Sequence, residues 1–125
     1  MAAGRYDGFV MLQGSDWDQE MAWKAGGELV DLTGFTARMQ VRRRRADPDP
    51  PLLDLTTENG GIELGSFTRD IGQDEEWGFN IFLHVSAEAT TALDFDTAAF
   101  DLEMVSDKIQ RKIGGYLVLS REVTR

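Results

Sequence analysis

Residues 32–42 place a tight Leu-Thr-Gly turn directly ahead of a run that alternates without a break. Ala37, Met39 and Val41 fall on one face of that run, and Thr36, Arg38, Gln40 and Arg42 on the other. A period of two with one apolar face specifies a half-buried β-strand and excludes an amphipathic helix. Similar runs recur along the chain, separated by glycine, proline or Asn/Asp turn signals. That rhythm predicts an all-β sandwich or barrel.

The predicted strands are 9–13, 17–24, 28–31, 36–42, 52–57, 61–64, 78–85, 99–105, 108–113 and 116–120. In the second, Trp17, Gln19, Met21 and Trp23 share a face. Within 78–85, Phe79, Ile81, Leu83 and Val85 point inward, leaving Asn80, Phe82 and His84 outward. Phe100, Leu102 and Met104 are core residues of 99–105. Pro48, Pro50 and Pro51 make 43–51 a loop, because proline cannot donate to a ladder and biases its predecessor away from helix. Asn59-Gly60 between alternating runs predicts a hairpin. Residues 65–72 have no clear period, and 73–76 read as an acidic turn. A single short helix is predicted over 86–93, with Ser86 as N-cap and Glu88 in the first turn. The Gly-Gly pairs at 26–27, 60–61 and 114–115 are assigned to strand ends or bends. None opens a helix in a phosphate-cradling pattern.

Composition narrows the function classes. A chain of 125 residues, 42% of them hydrophobic, makes one domain over 1–125 with a real core. The absence of cysteine excludes disulfides, thiolate metal sites and a cysteine nucleophile. A net charge of −9 disfavours nucleic acid as a partner. No apolar run approaches the roughly 20 residues of a membrane span, and residues 1–7 lack the apolar stretch of a signal peptide. The expectation is a soluble protein made in a cytoplasm, with no membrane partner.

Little catalytic chemistry is legible. His84 is the only histidine, and no G-x-S-x-G elbow supplies a serine nucleophile. Asp16 and Asp18, or Asp94, Asp96 and Asp101, offer oxygen ligands for calcium, but EF-hand spacing is missing and turn chemistry with a solvated acidic face is the better explanation. No catalytic residue, metal ligand or cofactor is assigned, and a non-enzyme is expected. Interface residues are the better prospect. Arg42, Arg43, Arg44 and Arg45 form the one basic run, suited either to an acidic neighbour or to blunting a strand edge. Phe67 and Trp77 bound a predicted loop, and Phe82 lies outward on its strand. Such aromatics serve protein interfaces, core packing or sugar platforms.

The phrases Gly14-Ser15-Asp16-Trp17, Trp23-Lys24 and Val30-Asp31-Leu32-Thr33-Gly34-Phe35-Thr36-Ala37-Arg38-Met39-Gln40-Val41-Arg42 resemble a pattern in small proteins of tailed phages and prophages. Residues 53–62, 100–105 and 115–125 look like later phrases of the same family. The front half is similar to the N-terminal module of siphophage upper baseplate proteins. This resemblance implies an immunoglobulin-like antiparallel β-sandwich of about seven or eight strands. It implies a virion structural protein of the tail tip, baseplate or neck, joined to other virion proteins and to copies of itself in a ring. A single domain, lacking the receptor-binding part of the upper baseplate proteins, is expected. A carbohydrate-binding host-adsorption module is the alternative.

Overall fold

The structure, a computed structural model, describes residues 8–121 together with the backbone of residues 4–5. Residues 122–125, part of the last phage-like phrase, lie outside the described residues. Along the chain run β1 (Gly4–Arg5), β2 (Phe9–Leu12), β3 (Trp17–Met21), β4 (Lys24–Ala25), β5 (Glu28–Leu29), β6 (Thr36–Arg42), β7 (Leu53–Thr56), β8 (Ile62–Gly72), β9 (Glu75–Val85), α1 (Ala87–Thr91), β10 (Thr97–Val105) and β11 (Gln110–Ser120).

One sheet has the order β1-β11-β10-β6-β7, with β2 continuing the β1 edge along β11. The other is β3-β9-β8, and β4-β5 form a separate hairpin. All pairings are antiparallel except those of β1 and β2 with β11, which are parallel. A three-stranded sheet thus faces the larger sheet that holds the last two strands, as in a β-sandwich. The predicted class, an all-β sandwich with one short helix, is correct.

Alternation explains which faces meet. Ala37, Met39 and Val41 from β6, Phe100, Leu102 and Met104 from β10, and Leu117 and Leu119 from β11 point into one core. Trp17, Met21, Ile62, Ile81, Leu83 and Val85 come from the facing sheet. Phe9 joins the sheets, stacked on Phe100 at 5.3 Å and edge-on to Trp17 at 5.6 Å. The Trp17 indole donates to the Val10 carbonyl (3.1 Å), so its one polar atom is satisfied where the ring is buried. Ser86 caps α1 by accepting from the Ala89 amide (3.2 Å).

Several sequence expectations are corrected. Asn59-Gly60 is a corner between sheets, since β7 pairs with β6 while β8 pairs with β9. The Thr57 amide stays bonded to Ala37 (3.1 Å), but the Gly61 carbonyl already accepts from His84 (2.9 Å). The Asn59 side chain holds the corner, accepting from the Thr56 and Gly61 amides and donating to the Asp54 carbonyl (each 2.9 Å). The true hairpin is β8–β9, which turns through Gln73 and Asp74 at φ 55° and 61°. Residues 65–76 are therefore mostly strand. Their period is hidden by a register shift between Leu64 and Phe67, where the bulge breaks the alternation. β11 runs straight through Gly114-Gly115, which is no bend.

The second predicted strand stops at Met21, where the chain leaves β9 to form the β4–β5 hairpin. Asn80 is responsible. It is fully buried rather than outward, accepts from the Trp23 amide (2.9 Å), and donates to the Trp23 and Val30 carbonyls (3.0 Å each). One side chain thus satisfies backbone groups that the ladder has released. Phe79 is buried too, but outside the core cluster, against Phe67 and Phe82.

Asn80→Ala is expected to cost about 2–3 kcal/mol, because buried backbone groups lose their partners. Asn80→Asp should cost more, having lost the donors and added a charge. Urea denaturation checks both. Replacing Gln73-Asp74 by Asn-Gly, which tolerates positive φ at both positions, should raise stability by about 0.5–1 kcal/mol.

Candidate interaction surface

The arginine run does not present four equivalent cations. Arg42 lies against its own sheet and donates to Gln40 Oε1 (2.9 Å). Arg45 folds back over β10 and β11, donating to Asp101 Oδ1, the Phe100 carbonyl (3.4 Å) and the Gly115 carbonyl (3.5 Å). Gly114 makes that approach possible, since a Cβ there would lie 2.9 Å from Arg45 Nη1. Arg43 and Arg44 remain exposed, with no side-chain hydrogen bond or ion pair among the described residues. The loop that carries them is braced. The Asp47 amide bonds to the Arg44 carbonyl (3.0 Å), Asp47 accepts from Asp49 (3.0 Å), and prolines follow.

Phe67 and Trp77 sit on strands, not in a loop. They belong to the arm made by the outer halves of β8 and β9, where Arg69 pairs with Trp77 across the ladder. Arg69 clamps the arm to β3 through a bidentate pair with Glu20 (2.9 Å at both nitrogens). That guanidinium, helped by Trp77, holds the Glu20 carboxyl below the usual carboxylate range. Beyond the clamp the arm tip carries Asp70, Asp74, Glu75 and Glu76, all exposed.

Phe67, Phe79 and Phe82 line a shallow hollow of about 210 Å³ with Glu63 at its rim. Phe67 and Phe79 are 5.2 Å apart, and Phe79 and Phe82 6.4 Å. The Phe67 ring lies flat over Gly65, where any Cβ would come within 2.9 Å of it. The tryptophans are committed elsewhere. Trp17 is core, and Trp23 is held edge-on by Phe35 (5.8 Å) and covered by the Arg111 guanidinium (5.0 Å).

The aspartates considered as calcium ligands are engaged within the chain. Asp16 accepts from the Ala87 amide at the start of α1 (2.7 Å), and Asp18 pairs with His84. Asp94 and Asp96 both bind Arg121 (3.1 and 3.3 Å). Neither aspartate set named for calcium gathers around a common point. No group of three or more potential metal ligands occurs among the described residues. Two wider depressions, of about 350 and 380 Å³, flank residues 29–33 and β6. Their charged groups are satisfied internally: Asp31 by the Thr33 amide and hydroxyl (3.0 and 2.7 Å), Arg38 by Asp54 (2.8 Å).

One surface is missing from the sequence-based site. Val10, Leu12, Tyr116 and Val118 are 62%, 50%, 50% and 42% exposed. Val10 faces Val118 and Leu12 faces Ser120 in the register, so these side chains form a strip on the outer face of the large sheet. A signal was present. Residues 9–12 and 116–119 are apolar at every position, a pattern of strands covered on both faces.

Comparison with protein-family models finds no match, and neither does comparison with curated proteins. Among the described residues no helix is long and apolar enough to cross a membrane.

Arg38 holds Asp54 below the usual carboxylate range, as Arg69 does Glu20. Each carboxylate therefore adds stability above its unfolded pKa of about 4, and loses it as pH falls through the lower folded value. Melting temperature should be flat from pH 7 to about 5 and fall below about pH 4. Glu20→Gln should shrink the fall, and salt should weaken it. A further expectation concerns Gly114 and Arg45. Gly114→Ala should cost about 1 kcal/mol or less in the wild type and less still once Arg45 is alanine, where only Asp101 Oδ1 (3.2 Å) remains close, giving a non-zero coupling in a double-mutant cycle.

Proposed function

We propose that this chain is a non-enzymatic structural component of a tailed-phage virion, at the tail tip, baseplate or neck. It works through protein–protein interfaces, in a symmetric assembly with other virion proteins and copies of itself. The observation that carries the assembly role is the strip of Val10, Leu12, Tyr116 and Val118. Contiguous large apolar side chains on a folded monomer are a surface made to be covered. Sheet faces are also rigid, so a partner meets a preorganised surface and little ordering entropy opposes docking. The phage assignment itself rests on the resemblance of residues 14–17, 23–24, 30–42, 53–62, 100–105 and 115–125.

The test is mass spectrometry and labelling of purified particles from the phage or induced prophage that encodes the chain. Several copies per particle are expected, and absence from particles overturns the proposal. Val118→Glu should change stability by no more than about 0.5 kcal/mol, as for an exposed site, yet exclude the protein from particles.

A further inference from the structure

We infer that the hollow formed by Phe67, Phe79 and Phe82 is the seat for the Arg43-Arg44 loop of a second copy, in a head-to-tail contact. This rests on the reading of the chain as an assembly protein and names the partner of one of its surfaces.

The hollow's size, about 210 Å³, is below the roughly 300–1,000 Å³ of small-molecule pockets. It fits a side chain. Aromatic faces with one carboxylate at the rim select the chemistry of that side chain: a guanidinium stacks over the rings while Glu63 takes its charge. Arg fits this better than Lys, because a planar, weakly hydrated cation loses less on leaving water.

Charge complementarity identifies the source. The chain carries a net −9, and its arginine run is a local positive patch. Arg42 and Arg45 are tied to the large sheet, which leaves Arg43 and Arg44 presented on a braced loop. The arm carboxylates at Asp70, Asp74, Glu75 and Glu76 add attraction along the same sheet as the hollow. The loop and the seat of one molecule belong to different sheets, which favours a second copy as the source. Phe82 lies on the face of β9 turned away from the large sheet, whereas the loop follows β6 of that sheet. Unlike patches meeting in this way make a heterologous contact, which closes into a ring or continues as a filament.

Sedimentation velocity on the purified full chain tests this. The wild type should self-associate at low ionic strength, and about 1 M salt, where the screening length is roughly 3 Å, should dissociate it. Arg43→Glu with Arg44→Glu, and separately Glu63→Lys, should each weaken association by about tenfold or more, with unchanged melting temperatures. Mixing the two variants should restore it, since each then supplies the charge the other lacks. A wild type that stays monomeric overturns the inference, as does association that these substitutions leave intact. Association abolished by Val118→Glu alone assigns the contact to the apolar strip instead. That outcome overturns this inference while leaving the assembly role standing, whereas absence from particles counts against the assembly role itself.

Discussion

Packing of Phe9 between Phe100 and Trp17 holds the two sheets together. With no cysteine in the chain, the tie between sheets is apolar and aromatic. Phe100 and Met11 are wholly buried, and Phe9 and Trp17 nearly so. Burying each large side chain stabilises the fold by roughly 1.5–3 kcal/mol, and favourable ring geometry adds to that. The cluster also explains the parallel edge. Phe9 reaches Phe100 only if β2 lies beside β11 in the register that sets Phe9 against Leu117. That register in turn sends Val10 and Leu12 to the outer face. The core and the exposed strip are thus two consequences of one strand alternation.

Polar groups then finish what apolar packing leaves open. Asn80 takes over the backbone groups released where β3 stops, and Asn59 does the same at the corner between sheets. Thr90, fully buried, donates to the Ser15 carbonyl (2.9 Å) and accepts from the Gly14 amide (3.0 Å), joining α1 to the turn before β3. No buried side-chain polar atom is left without a partner among the described residues. Such satisfied networks make irregular stretches as well defined as the strands they connect.

The surfaces that remain differ in kind. The strip on the large sheet is apolar and flat, suited to a broad docking face. The hollow on the small sheet is narrow and carries a single carboxylate, suited to one inserted cation. The two surfaces lie on different sheets, so covering one leaves the other open.

The sequence by itself determined the strands with strict alternation. Residues 36–42 follow it, as do Phe100, Leu102 and Met104 of the expected strand 99–105 and the helix cap at Ser86, because their apolar period and local hydrogen bonds need no distant partner. Tertiary structure alone decided the rest. A local Asn-Gly signal specifies a tight turn but not which sheet receives the next strand. That was settled by Leu55 and Ile62 burying against opposite sides of the core. Arg42 to Arg45 are identical in type, yet only Arg45 finds Gly114 and Asp101, residues far along the chain. Asn80, expected outward, is buried because its side chain bonds the backbone of Trp23 and Val30, while Phe79 is buried as expected but against Phe67 and Phe82 rather than in the main core. Periodicity reports which faces are apolar; only the packed fold reports which of those faces find a partner.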